Sequence, residues 1–134
     1  MIKRQIILSF YAVLFILFGT TALLAPTLIS NVIHFELKTL SAEMEFIATY
    51  GGLFLGLGLF MLYCIQNNTD IGLVCVLLTM GVMLLSRVSG AFIFGGVDLI
   101  QAIYISGELF TTLLVIFLLY NARVASLILP QKSN

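Results

Sequence analysis

Charge is scarce in this chain: six acidic and six basic side chains make up only 9% of its 134 residues. Soluble domains carry about 25% charged residues. With 61% hydrophobic residues and a mean hydropathy of +1.18, the chain cannot cover itself with polar surface, and it reads as an integral membrane protein. No basic block is present, so nucleic acid is not expected as a partner. The two cysteines, Cys64 and Cys75, both fall near the side assigned below to the cytoplasm, where thiols stay reduced; they read as apolar filler without a disulfide. The single histidine, His34, has only Glu36 close by, too few ligands for a metal. It also shares no depth with either cysteine, and no Ser-His-acid grouping can be drawn. Catalytic residues, metals and cofactors are therefore not expected.

What is present is a series of apolar runs. The chain is long enough for four spans of ~20 residues with short connections and no separate soluble domain. The first span covers residues 6–25. It is too long for a signal-peptide core, Pro26 stands where a cut after Ala25 would lie, and Leu23 is too large for the cleavage rule, so a retained helix ended by Pro26 is expected. Residues 27–42 are too apolar for a solvated loop and read as an interfacial segment, with Glu36, Lys38 and Glu43 toward water. The remaining spans are 44–65, 71–93 and 99–120, followed by a short cytoplasmic tail over 121–134. The fold class expected is an all-α polytopic membrane protein, a four-transmembrane-helix bundle. Lys3, Arg4, Arg123 and Lys132 lie on one side against Lys38 on the other, which places both termini in the cytoplasm of an inner-membrane protein. On that assignment the Asn67-Asn68-Thr69 glycosylation sequon is a chance match.

The fourth span contains Glu108, and the third contains Arg87. A charge at the bilayer centre costs roughly 3 kcal/mol on insertion scales, which makes such residues candidates for function. A helical rise of 1.5 Å per residue puts Arg87 roughly 9 Å and Glu108 roughly 14 Å below the outer boundary. An arginine side chain spans the difference, so an Arg87 to Glu108 ion pair is expected, with Glu45 above it at the outer end of span two. Gln101, Tyr104 and Glu108 recur at helical spacing on one face of span four. Glu45, Thr49, Gly52, Gly56 and Tyr63 do so on span two, and both stripes are expected to turn inward. Gly52 and Gly56, four apart, are expected to bring helices close, within the bundle or between chains.

The stretch Glu45-Phe-Ile-Ala-Thr-Tyr-Gly-Gly-Leu-Phe-Leu-Gly-Leu-Gly-Leu-Phe60 resembles the Glu-x-x-Ala-x-Tyr-Gly-Gly signature of a bacterial family of small four-helix membrane proteins of unknown function. The resemblance extends over nearly the whole chain, with Arg87 late in span three and Glu108 in span four. In that family a basic residue often stands two positions after the first acid. Ile47 holds that place here, so Glu45 has no such partner in its own helix. The resemblance implies a bacterial inner membrane and no particular activity.

Two functions remain open at this point. One is a polar site of Glu45, Thr49, Arg87, Gln101, Tyr104 and Glu108 that binds a small molecule or ion in the outer half of the bundle. The other is an accessory or scaffold subunit whose polar network is purely structural, its partners being lipid, a second copy or another membrane protein. An enzyme using Glu108 as acid or base ranks last, for want of a nucleophile or metal.

Overall fold

The computed structural model describes residues 2–128, with side chains over 2–122. It is helical throughout, and no strand occurs among the described residues. The helices are α1 (Ile2–Leu24), α2 (Pro26–Val32), α3 (Leu40–Phe46), α4 (Phe54–Asn67), α5 (Thr69–Phe94) and α6 (Leu99–Ile128), and a π-helical stretch (Ile47–Leu53) joins α3 to α4. Four helical segments are long and apolar enough to cross a membrane: Ile2–Leu24, Leu40–Asn67, Thr69–Phe94 and Leu99–Ala122. The chain divides into two compact units, one up to Gly72 and one from Leu73 onward.

In the first unit α1 packs along the second span. Its buried positions Leu8, Ala12, Phe15, Gly19 and Ala22 recur every three or four residues on one face. Opposite them lie the buried Gly51, Gly58 and Met61. At Gly19 the backbones touch: a Cβ there would stand 2.5 Å from the Leu55 nitrogen and 2.8 Å from the Gly51 oxygen. Gly58 is similar, with a Cβ position 2.9 Å from the Ile16 nitrogen. Close backbone approach through small residues is how helices gain packing energy in lipid, where burial alone gives none. The glycines that do this differ from the expected pair. Among the described residues, a Cβ at Gly52 or Gly56 would meet nothing within 4 Å.

Above this contact the rings of Phe46, Tyr50 and Phe54 succeed one another along the second span. Phe46 and Tyr50 stack at 4.7 Å between centroids, and Phe18 and Phe15 of α1 reach Phe54 at 5.0 and 5.1 Å. The π-helical stretch carries Tyr50 in the middle of this series. An i→i+5 turn holds an extra residue and re-phases the helix on either side of it.

The connection between the first two spans is more deeply packed than a segment lying on the membrane surface. Ile29 is buried against Ala22 and Phe46, with Ile33 and Leu37 beside them. Phe35 meets Phe46 and Tyr50. Leu28 and Val32 remain exposed, as an interfacial helix requires. The short helix α2 ends in a Schellman turn: the Phe35 N–H donates to the Ser30 carbonyl at 2.8 Å and the His34 N–H to that of Asn31 at 3.3 Å. This turn puts His34 at φ 55°, a left-handed conformation usually left to glycine. His34 thus has a structural position at a helix end. The second span starts earlier than expected, because the Thr39 hydroxyl accepts the Ala42 N–H at 3.1 Å and caps α3.

At the other end of this unit Arg4 pairs with Asp70. Lys3 and Arg4 belong to α1 itself and do not precede it. The final helix also outruns its expected span, continuing through Ile128 into what was read as tail. Residues 129–134 of that tail lie outside the described residues.

Candidate functional site

The second unit brings together the residues of the expected network that lie on α5 and α6. Asp98 starts the arrangement. Its Oδ1 accepts the Gln101 N–H at 2.7 Å and its carbonyl accepts the Ala102 N–H at 2.9 Å, so it caps α6. Gly95, at φ 75°, ends α5 just before, where the Gly95 and Gly96 N–H groups both bond to the Ala91 carbonyl. A short reversal between two fixed helix ends therefore sets Arg87 against the first turns of α6.

Gln101, Tyr104 and Glu108 stand three and four residues apart on one face of α6. Arg87 meets all three. Its Nε donates to Glu108 Oε1 at 2.8 Å and its Nη1 to Gln101 Oε1 at 2.7 Å. Its guanidinium carbon lies 4.9 Å from the centre of the Tyr104 ring, within cation–π range. Arginine has only donors, which fixes the amide orientation of Gln101 with its oxygen toward Arg87. The Glu108 side chain is 8% exposed and that of Arg87 27%, so the pair sits mostly out of contact with solvent or lipid.

The network is not closed. Glu108 Oε2 is buried with no hydrogen-bond partner among the described residues, and so is Thr112 Oγ1 one turn further along the same face. Thr111, by contrast, returns its hydroxyl to the Gly107 carbonyl at 2.8 Å. Arg87 also borders a cavity of about 190 Å³. Arg87 and Gln101 are its polar lining, and Gly90, Ala91, Phe94 and Ile105 are among its apolar walls.

Glu45 and Thr49 belong to the first unit, and both are exposed. Gly52, Gly56 and Tyr63 are exposed with them, so this stripe is not the face that α1 covers. The buried face of the second span carries Phe46, Gly51, Gly58 and Met61 instead. Asp98 has a role that the sequence reading missed, since it positions Gln101. The signal was available: an Asp followed three residues later by Gln, at the start of an apolar run, marks a helix N-terminus. Here the reciprocal half of that motif is not made, because Arg87 occupies the Gln101 side-chain oxygen. No cluster of three or more His, Cys, Asp or Glu able to hold a metal occurs among the described residues.

A family model described as Domain of unknown function (DUF4345) matches residues 4–129 of this chain. No curated protein matches it, and no solved structure does.

Proposed function

The chain belongs to the DUF4345 family, a domain of unknown function, and from its geometry we propose that the second unit carries a small-molecule binding site in a multi-pass membrane protein. Arg87 and Gln101 are the groups that face the ligand, Tyr104 flanks the guanidinium, and Glu108 is the countercharge that holds Arg87 in place. The observation that carries this reading is the incomplete bonding of a buried network beside a cavity. Buried polar groups are nearly always satisfied, and a network serving only to fasten two helices is worth most when every member is. Here Glu108 Oε2 is left over, and the guanidinium borders open space.

Native mass spectrometry of the chain in lipid nanodiscs tests this. The wild-type chain is expected to retain a small-molecule adduct that a folded Arg87→Leu/Glu108→Leu variant does not. Adduct-free spectra for both would favour the second reading, an accessory subunit in which Arg87 is a clamp. That reading has one observation of its own, the simultaneous bonds of Arg87 to both Gln101 and Glu108 across the α5–α6 turn.

The excess of Lys and Arg on one side supports a bacterial inner-membrane location with both termini cytoplasmic, and with the polar site in the outer half. The Arg4–Asp70 pair adds support, because it ties the start of α1 to the α4–α5 turn and so to the same side. A C-terminal alkaline phosphatase fusion is expected to be inactive and a C-terminal fluorescent protein fusion to fluoresce; the reverse result would invert the topology.

A further inference from the structure

Resting on the binding-site reading above, we infer that the ligand of the α5–α6 cavity is a neutral carbonyl compound with a single-ring head, of the kind presented by a quinone dissolved in the bilayer. Three features of the cavity lead there. The first is charge. Among the described residues Arg87 is the only ionisable one in the lining, and its charge is already matched by Glu108 at 2.8 Å. A cation would face the guanidinium, and an anion would have to compete with a buried carboxylate for it. A neutral molecule meets neither cost.

The second feature is the hydrogen-bonding inventory. Arg87 uses Nε and Nη1, and its Nη2 carries two further donors. Gln101 turns its side-chain oxygen to Arg87, and its amide nitrogen adds two more donors. The side chains lining the cavity therefore offer several donors against a single remaining lone pair on the Gln101 oxygen, a set that favours a carbonyl or ether oxygen over a group that must also donate. The third feature is size and access. A dry apolar cavity of about 150 Å³ accommodates a benzene ring, so about 190 Å³ suits one ring with its oxygens. Phe94 in the wall is 86% exposed and Ile93 beside it 75%, an apolar rim through which a lipid-dissolved molecule can enter.

The test uses the full chain in nanodiscs with four probes: decylubiquinone, methyl decanoate, decanoate and decylamine. Ala91→Leu fills the cavity without touching the polar network. Decylubiquinone is expected to bind saturably to the wild type and at least ~10-fold more weakly to Ala91→Leu, while decanoate and decylamine partition equally into both samples. Gln101→Leu, which removes one donor and keeps the cavity, is expected to weaken decylubiquinone roughly tenfold, and it serves if Ala91→Leu does not fold. Equal binding of methyl decanoate would overturn the single-ring assignment. Binding of decanoate or decylamine that Ala91→Leu abolishes would overturn the neutral-ligand inference and leave the binding site standing. No probe binding in a manner sensitive to either variant overturns the inference; the adduct experiment then decides the site itself.

Discussion

Arg87→Leu is expected to lower the unfolding free energy by about 3 kcal/mol, measured by denaturant titration in mixed micelles. Removing one partner of a buried ion pair leaves the other charge uncompensated, and such losses run to about 3–5 kcal/mol. The lower end applies here because the Arg87 side chain keeps 27% of its exposure. Glu108→Gln is expected to cost less, about 1–2 kcal/mol, because an amide can still accept from Arg87 Nε while the guanidinium loses its countercharge. The double variant Arg87→Leu/Glu108→Leu should recover most of the loss, since two apolar side chains leave no buried charge. Coupling between the two sites of at least ~1 kcal/mol is the quantity to be measured. Additive single effects would mean that the pair is not a functioning unit, and both readings of the network would fall with it.

The visibility of this pair in the sequence, and the different face that the second span turns to α1, have one physical origin. Almost every position in a membrane helix is apolar, so polarity becomes the main cue to which face turns inward. That cue works for Arg87 and Glu108 because each supplies what the other lacks, and helical rise alone shows that they can meet. It does not mark the face that α1 covers at Glu45 and Thr49, which are exposed. Their helix buries Phe46, Gly51, Gly58 and Met61, choosing its face by ring stacking and by how closely the backbones can approach. A polar residue in such a sequence indicates burial only when a complementary partner lies within reach, and Ile47 stands where a basic neighbour for Glu45 could have been. The number of spans was legible because hydropathy and chain length constrain it. The helix ends were less so, since Thr39 and Asp98 extend or begin helices through single side-chain bonds that hydropathy does not register. The π-helical stretch had no sequence signal beyond its paired glycines, and the cavity beside Arg87 depends on the α5–α6 turn geometry, which only the structure supplies.

Gly19→Val is expected to be among the most damaging single substitutions in the first unit, costing about 3 kcal/mol or more. The atoms that a Cβ would strike at 2.5, 2.8 and 3.0 Å are the Leu55 nitrogen, the Gly51 oxygen and the Leu55 Cα, all of them backbone. No rotamer change can relieve that contact. The helices must separate, and separation loosens Phe15, Ala22 and the rings around Phe54 together, which is how overpacking exceeds its usual 1–3 kcal/mol. Gly51→Ala should be milder, because its nearest obstacle is the side chain of Leu23 at 2.7 Å, which is partly exposed and able to turn. Gly56→Ala provides the contrast. Its Cβ meets nothing within 4 Å among the described residues, and alanine exceeds glycine in helix propensity by about 1 kcal/mol, so stability should hold or rise slightly. Thermal unfolding in detergent of the three variants orders them. If Gly56→Ala proved more harmful than Gly19→Val, a helix from outside the first unit would have to lie against Gly52 and Gly56, and that stripe would be a contact surface after all.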